Sequence, residues 1–181
     1  RRIAFVAGPP NWHNALSRFA GYRNELQKHG IFFDSSLVQS GNWESESGYA
    51  AAEALLHLGD RPTAVFAAND LMALGVIYAL QDAGMKVPKD MAVVGYDNRD
   101  FTHIFRPQMT TVDMPVYEMG QKAAELLLSQ IRGSEPVDEV KVRGRLVVRN
   151  TCGAAAAQRT TEESLSSTSI RRLLLNKQPE I

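Results

Sequence analysis

The sequence predicts an α/β fold in which a parallel β-sheet is flanked by helices. Short apolar runs alternate with helical patterns at intervals of about thirty residues, which is typical of strand–helix units joined by right-handed crossovers. Three runs, at residues 3–7, 64–68 and 91–95, are apolar almost throughout, as expected for strands buried on both faces of a parallel sheet. Gly30 and Gly84 end two of the helical patterns.

The first two units precede the helix-breaking sequence GDRP. A strand at 3–7 leads through the turn sequence GPPN into a helix at about 14–29. Three- and four-residue spacings predict the inward face of this helix: Leu16, Phe19, Ala20, Tyr22 and Leu26. A short strand at 36–39 precedes a loop that contains Trp43, and Ser47 is predicted to cap a helix that reaches residue 58.

The third unit, PTAVFAANDLMALGVIYALQDAGMKVPKDMAVVGYDN, has the clearest pattern. Its strand at 64–68 ends at Asn69 and Asp70, whose short side chains accept hydrogen bonds from the free N–H groups that open a helix. Its second strand, at 91–95, is followed by YDN at 96–98, which is predicted to be a polar loop.

Beyond this unit the alternation changes. An irregular stretch at 100–109 leads into an extended segment at 110–114. A helix at 116–131 is predicted because Pro115 suits a first helical turn. One or two further strands are expected within 140–148.

Composition excludes several classes of protein. Twenty Lys and Arg balance twenty Asp and Glu among the 181 residues, so no net field would hold the chain on DNA or on an anionic membrane. No apolar run approaches the roughly 20 residues that span a bilayer, so no membrane partner is expected. Cys152 is the single cysteine, which excludes an internal disulfide and fits a reducing compartment.

The two ends indicate a piece of a longer protein. The chain opens Arg1-Arg2-Ile3 without an initiator methionine, so we expect a fragment. From Gly153 the composition shifts to Ala, Ser and Thr, which is typical of a flexible tail. Within this tail the apolar cluster at 170–175 has two interpretations, a helical oligomerisation segment or a frayed terminus.

Four side chains form a candidate ligand site, because each follows a different predicted strand at the same edge of the sheet. They are Arg18, Trp43, Asn69 and Asp97. Ligands bind outside the carboxyl ends of the strands in an open parallel sheet. A guanidinium fork suits neighbouring hydroxyls or a carboxylate, and an indole ring suits the apolar face of a sugar or base.

Each of these positions also has an interpretation without a ligand. Arg18 fits a surface arginine whose stem lies along apolar neighbours. Asn69 fits a helix cap, Asp97 fits a turn, and Trp43 fits a chance exposure. The shared edge of the sheet favours one ligand cleft over four unrelated positions.

Motifs for catalysis or metal binding are not found in the sequence. The four histidines lack metal-ligand spacing, and no CxxC, GxGxxG, GxxxxGK[ST] or GxSxG motif occurs. Asp97 and Asp100 form a carboxylate pair, but nothing marks an activated partner. We therefore expect neither an enzyme nor a cofactor or metal site, and an α/β hydrolase would need a nucleophile–base pair at the strand ends.

Several segments occur in an order that is typical of one protein family. They are RIAFVAGP, SRFAGYRNEL, GNWESESGYAAAEALL, PTAVFAANDLMALG, VPKDMAVVGYDN, RPQMTTVDMPVYEMGQKAAELLL and LVVRNTC. Together they resemble the effector-binding core of the LacI/GalR family of bacterial transcription repressors. The resemblance covers about residues 2–152 and is most specific in the pair FAANDLMALG and VPKDMAVVGYDN.

The resemblance implies a periplasmic-binding-protein-like fold, in which two Rossmann-like subdomains enclose a ligand cleft. Residues 1–112 would form the C-terminal subdomain. Residues 113–145 would return to an N-terminal subdomain that is largely missing here. Residues 146–152 would be the closing strand and 153–181 the flexible tail. The helix-turn-helix headpiece of the family is also absent from the sequence given.

By the same resemblance, Arg18, Asn69 and Asp97 match polar ligand contacts and Trp43 matches an aromatic wall. The expected function is a cytoplasmic repressor whose sugar or sugar-derivative effector controls DNA binding allosterically through the absent headpiece. Met114 stands where some sugar-binding members carry Gln, so a hydrogen-bonding side chain is missing from the cleft.

The family also dimerises through this subdomain, and Leu74 and Phe105 match its interface, so a homodimer is expected. The alternative is a periplasmic sugar-binding protein of a transport or chemotaxis system, which would have the same cleft without a link to DNA.

Overall fold

A computed structural model describes residues 2–133 and 139–154 of the chain, which form a sheet flanked by helices. The strands in chain order are β1 (Ile3–Ala7), β2 (Val38–Ser40), β3 (Ala64–Ala67), β4 (Ala92–Asp97), β5 (Thr110–Asp113) and β6 (Arg145–Val147). The helices are α1 (His13–Lys28), α2 (Ser45–Leu56), α3 (Asp70–Asp82) and α4 (Val116–Ile131), with short 3-10 helices at Ser35–Leu37 and Asp100–His103.

The strand order is β2-β1-β3-β4-β5-β6, and every pairing from β2 to β5 is parallel. Only the last pairing in this sheet, β5 with β6, is antiparallel. Phe5, Val65 and Val93 lie on the three central strands and are buried. The predicted α/β class with a parallel sheet is confirmed. The loops that follow β1, β2, β3 and β4 therefore share one edge of the sheet.

Helices α2 and α3 pack backbone against backbone. A β-carbon added to Gly75 would overlap the main-chain oxygen of Ser45, and one added to Gly48 would overlap the main chain of Met72. No side chain separates the helices at these points, because only glycine allows so close an approach. Beyond the crossing, α3 is anchored in the core by fully buried side chains that include Val76 and Leu80.

Two predicted boundaries near the candidate site are wrong. Strand β4 extends to Asp97 instead of ending at Gly95, because its last residues pair with β5. Helix α2 begins at Ser45, and Ser47 is not its cap. The Ser47 hydroxyl instead accepts a hydrogen bond from the Asn42 amide and donates one to a main-chain oxygen, closing the preceding loop.

Other differences come from packing that the pattern does not contain. Leu16 and Ala20, which the spacing predicts on the inward face, are both exposed, Leu16 to 52%. Helix α1 instead buries the stripe of Ala15, Tyr22 and Leu26 against the sheet. The predicted strand at 36–39 starts later, at β2, because the Asp34 carboxylate caps the 3-10 helix before it. Within 140–148 only β6 forms a strand.

Helix α4 has the predicted bounds but contains no buried residue. Its exposed large apolar side chains are Val116, Tyr117, Met119, Leu127, Leu128 and Ile131. These side chains are 41–85% exposed, so the described part of the chain covers little of this apolar face. No helix within the described residues is long and apolar enough to cross a membrane. The predicted tail beyond Ala154, with its cluster at 170–175, lies outside the described residues.

Candidate ligand-binding site

The four predicted site residues lie in contact at the carboxyl edge of the sheet. Arg18 Nη2 is 3.6 Å from Asp97 Oδ1, and the guanidinium carbon of Arg18 is 5.5 Å from the centre of the Trp43 ring. The Asn69 side-chain amide donates a hydrogen bond of 2.8 Å to the main-chain oxygen of Trp43. The structure thus brings all four together at what we call the rim, and a ligand role for them stays a prediction.

Arg18 is fixed in its position by the surrounding protein. Its Nη1 donates a 2.6 Å hydrogen bond to the main-chain oxygen of Ala68, at the end of the third strand. Its guanidinium carbon lies 3.9 Å from the centre of the Tyr96 ring, which is a close cation–π contact. Only 13% of the side chain is exposed. A freely solvated surface arginine does not fit this geometry.

Trp43 forms an aromatic wall next to Arg18. An added β-carbon on Gly8 would overlap the Trp43 ring, with Cζ3 only 2.6 Å away, so the first loop touches the ring directly. The Trp12 ring meets the Trp43 ring edge-on at 6.0 Å and is itself 55% exposed. Trp43 Nε1 is buried and has no hydrogen-bond partner among the described residues. An unpaired buried donor is costly, which makes this atom a candidate contact for a ligand or an ordered water.

Asn69 connects the aromatic wall to helix α3. Its Oδ1 accepts a 2.9 Å hydrogen bond from the main-chain amide of Met72, so it is the helix cap that the pattern allowed. Its Nδ2 holds the loop of Trp43, and the residue is only 6% exposed. One hydrogen of the side-chain amide is left over for a ligand.

Asp97 supplies a negative charge at the rim. Burial raises the pKa of its carboxyl above the ordinary value, while the positive charges of Arg18 and Arg99 act in the opposite direction. One third of the side chain remains exposed. The Asp97 carboxylate is therefore partly buried, but its exposed part can still accept a hydrogen bond from a ligand.

Backbone strain is concentrated at this edge. Among the described residues, three non-glycine residues have positive φ: Trp43 at 76°, Asp97 at 117° and Asn98 at 55°. Asn tolerates this region, whereas a bulky tryptophan rarely adopts it. Such strain is typical of binding and catalytic sites, where the surrounding structure enforces it.

Three residues near the rim were not selected from the sequence. Tyr96 supports Arg18, and Trp12 extends the aromatic wall. Asp70 is fully buried and accepts hydrogen bonds from Thr111 Oγ1 at 2.6 Å and from the Arg99 amide at 2.9 Å. Burial raises the pKa of Asp70 to about 6 despite these bonds. The sequence places Trp12 and Asp70 after strands and Tyr96 near the end of one, but the partners that give them a role come from other segments of the chain.

The two predicted interface residues lie away from the rim. Leu74 on α3 and Phe105 after the second 3-10 helix are both partly buried against the core. The Phe105 ring contacts Phe101, with ring centres 6.3 Å apart. Tyr78 follows Leu74 by one helical turn and is 48% exposed, and Ile104 precedes Phe105 and is 68% exposed. A dimer role for Leu74 and Phe105 stays a prediction.

The side chains at the rim have the chemistry to bind a small polar organic ligand. Within residues 2–133 and 139–154, no group of three or more His, Cys, Asp or Glu could hold a metal ion. The rim offers instead a fixed cation, a partly exposed carboxylate and aromatic rings. These are the groups that fix the orientation of a polar ring compound in a concave site.

A family model described as a periplasmic binding protein-like domain matches residues 1–152. The chain belongs to this family. Its homologues are LacI-family regulators, and the match covers their effector-binding region, as the resemblance implied.

Three similar proteins illustrate the match. The regulator CelR from Thermobifida fusca is 40% identical over 153 residues, covering 83% of this chain and 45% of CelR. A solved CelR–cellobiose complex has a TM-score of 0.78 at 40% identity, with 83% of this chain and 46% of that chain covered. A dimeric Lac repressor with a C-terminal deletion has a TM-score of 0.77 at 32% identity, with 83% and 55% covered.

This LacI-family chain spans less than half the length of the curated relatives it matches. Those relatives are transcriptional repressors and regulators, and none of those cited is an enzyme or a transport protein. The periplasmic alternative is therefore not favoured.

Proposed function

We propose that this region senses a small sugar or sugar derivative at the rim of Arg18, Trp43, Asn69 and Asp97. In the whole regulator, a cytoplasmic protein in this proposal, occupancy of the rim would control operator binding by a helix-turn-helix headpiece. The observation that carries the proposal is the Arg18–Asp97 pair, which is held beside an aromatic wall at the carboxyl edge of the sheet. Membership of the LacI family supports the link to DNA.

The charged pair has the chemistry to bind neighbouring hydroxyl groups. A guanidinium donates two parallel hydrogen bonds, and a carboxylate accepts from O–H groups, so one diol can bridge Arg18 and Asp97. The pair is separated by 3.6 Å, which is long for a charge-assisted hydrogen bond. A ligand that inserts its hydroxyls would therefore replace a weak direct contact with shorter bonds.

The aromatic residues favour a sugar ring above the pair. The C–H face of a pyranose packs on an indole, and Trp12 presents such a surface because more than half of it is exposed. Trp43 is covered by Gly8 and Arg18 and acts mainly as a wall. The similar CelR was solved in complex with cellobiose, which supports a carbohydrate for this chain.

The second wall of the cleft would come from a first subdomain. We assign residues 1–112 to the C-terminal subdomain, 113–145 to the segment that returns to the first subdomain and 146–152 to the closing segment, in which strand structure ends at Val147. The support is the apolar face of α4, most of which is exposed. A cavity of about 300 Å³ beside α4 is lined by Met114 and by Tyr96, whose ring contacts Arg18. The predicted tail at 153–181 lies outside the described residues beyond Ala154.

Coupling to DNA requires a dimer in this proposal. Leu74 lies one helical turn from the exposed Tyr78, and Phe105 follows the exposed Ile104, so each has an exposed apolar neighbour. The similarity to a dimeric Lac repressor supports a homodimer. A ligand shifts such a system only by its difference in affinity between two domain orientations, commonly about 1–3 kcal/mol.

The test is calorimetry on the full-length regulator with a panel of sugars, sugar acids and nucleosides. Nucleosides are included because an indole also stacks on bases. We expect one sugar class to bind and Arg18→Lys to weaken it by about 10–100-fold, since the fork to hydroxyls and Asp97 is lost. Arg23→Lys, on the same helix but stacked on Phe33, is the matched control and should bind normally. Unchanged affinity in Arg18→Lys would refute the site.

A further inference from the structure

A polar cluster next to the rim joins Asn98 to two segments of the chain. One leaves the sheet after β5, and the other returns to it at β6. Asn98 Nδ2 donates a 2.9 Å hydrogen bond to Oδ1 of Asp113, the last residue of β5. Arg149 Nη2 donates a 2.7 Å hydrogen bond to Asn98 Oδ1, and Arg149 lies two residues beyond β6. We call Asn98, Asp113 and Arg149 the clasp. Both ends of the Asn98 side chain are engaged in it.

Arg149 is anchored on its other side. Its Nη1 donates to the main-chain oxygen of Met109 at 2.8 Å and to Thr102 Oγ1 at 3.1 Å. Its main-chain amide donates to Thr110 Oγ1 at 2.9 Å. The guanidinium is thus held on both sides by the protein, so it fixes Asn98 instead of being available to a ligand.

Asp113 is held ionised by its neighbours. The hydrogen bond from Asn98 and the nearby Arg145 and Arg149 keep the pKa of its carboxyl below the ordinary value. Arg145 Nε contacts Asp113 Oδ2 at 3.0 Å from β6, the strand that pairs with β5. Asp113 therefore connects β5, which leads to α4, with β6, which follows α4.

The clasp acts on the residue next to the proposed ligand contact. Asp97 pairs in register with Asp113 across β4 and β5, and its own φ of 117° is an unusual conformation for a non-glycine residue. Asn98 follows at a φ of 55°, and its amide donates to Thr111 Oγ1 at 3.3 Å. Turn chemistry alone would explain the positive φ of Asn98, but it does not require the contacts to Asp113 and Arg149.

We propose that the clasp positions Asp97 at the rim and links that position to the two segments that connect the subdomains. This inference rests on the proposed function and deepens it. Asn98, Asp113 and Arg149 are positioning residues, since they act on the ligand through Asp97. A change in the direction of either connecting segment alters the clasp and thereby moves the carboxylate, and a ligand held by Asp97 resists that change.

The test compares three variants of the full-length regulator. Asn98→Gly removes the clasp side chain but keeps a residue that accepts positive φ. Arg149→Lys keeps the charge but loses the fork. Arg143→Lys, an exposed arginine on the same segment, is the matched control. Circular dichroism establishes that each variant is folded.

The first readout is the titration of Asp97, followed by NMR of carboxyl-labelled aspartate without any sugar. Asp97 faces Arg18, Arg99 and the buried Asp70. In the wild type and in Arg143→Lys its pKa should lie above the ordinary value because of burial. In both clasp variants the pKa should fall, since the released carboxylate becomes hydrated. A general loss of stability would not produce this local shift.

The second readout is calorimetry with the same panel of sugars and nucleosides. Both clasp variants should bind about tenfold more weakly than the control, as expected when a hydrogen-bonded support is lost. An unchanged Asp97 titration in both clasp variants overturns the inference, whether or not a sugar is found. If the clasp variants bind the sugar with wild-type affinity while Arg18→Lys loses affinity, the clasp proposal is wrong and the proposed ligand site stands. A panel without any ligand overturns the proposed function, and the titration still decides the clasp.

Discussion

Asp70 makes the stability of this fold dependent on pH in a direction opposite to most carboxylates. It is fully buried, and its pKa is raised to about 6 from 3.8 by loss of hydration. Thr111 and the Arg99 amide provide hydrogen bonds but no compensating positive charge in contact. The folded protein therefore takes up a proton at Asp70 at a pH where the unfolded chain does not.

The sign and size of the effect follow from proton linkage. A raised carboxyl pKa means that the folded state binds more protons than the unfolded state between pH 6 and 3.8. Stability from this group increases as the pH falls through that window and is lost as it rises. The shift of about 2 units corresponds to about 3 kcal/mol between pH 7 and pH 3.8.

The perturbation is Asp70→Asn, which keeps the shape but does not titrate. The assay is urea unfolding of wild type and variant at pH values from 4 to 7.5. Glu25, Asp34 and Asp113 have lowered pKa values and therefore reduce the stability in acid, but they do so in both proteins and cancel in the difference. Asp97 interacts with Asp70, so the difference reports Asp70 together with its effect on Asp97. The free energy of unfolding of wild type minus that of the variant should rise by about 3 kcal/mol as the pH is lowered. A difference that does not change with pH would refute the reasoning.

Three further predictions concern packing, the rim and assembly. Gly75→Ala should destabilise the protein by about 1–3 kcal/mol or more in thermal unfolding, because the added β-carbon would overlap the backbone of α2. Gly21→Ala in α1, where the added β-carbon meets no other atom, should be neutral or slightly stabilising. Equal effects of the two substitutions would contradict the helix contact. Gly8→Ala should displace Trp43, changing tryptophan fluorescence and weakening ligand binding in calorimetry, and an unaltered spectrum would count against that contact. Leu74→Glu should convert a full-length dimer to monomers, because a charge would be buried in the predicted interface. Analytical ultracentrifugation at micromolar concentration measures this change. A persistent dimer would disprove the assignment of Leu74 to the interface.

The fold class and the place of the site follow from local sequence patterns. Apolar runs buried on both faces predict a parallel sheet, and the strand-end rule then places Arg18 and Asp97 at one edge. The Asn69 cap also follows from residue type alone, because only its own helix is needed to define it. These features require no knowledge of distant parts of the chain.

What could not be predicted depends on contacts between distant segments. Strand β4 reaches Asp97 only because β5 supplies partners, and Leu16 is exposed because of the way α1 rests on the sheet. The support of Arg18 by Tyr96 joins residues that are 78 positions apart. The hydrogen bond from Arg149 to Asn98 spans 51 positions. Patterns of a few residues contain no information about such pairs.

The glycine contact between α2 and α3 has a mechanical consequence. Two backbones that touch directly have no layer of side chains that could deform between them, so the helices form one stiff body. The thirteen residues of α3 make that body a rod of about 20 Å, which starts at the Asn69 joint beside the aromatic wall. Its distant end holds Asp82, which accepts a hydrogen bond from the α2 residue Tyr49. A small tilt of one end of α3 would therefore also move its other end.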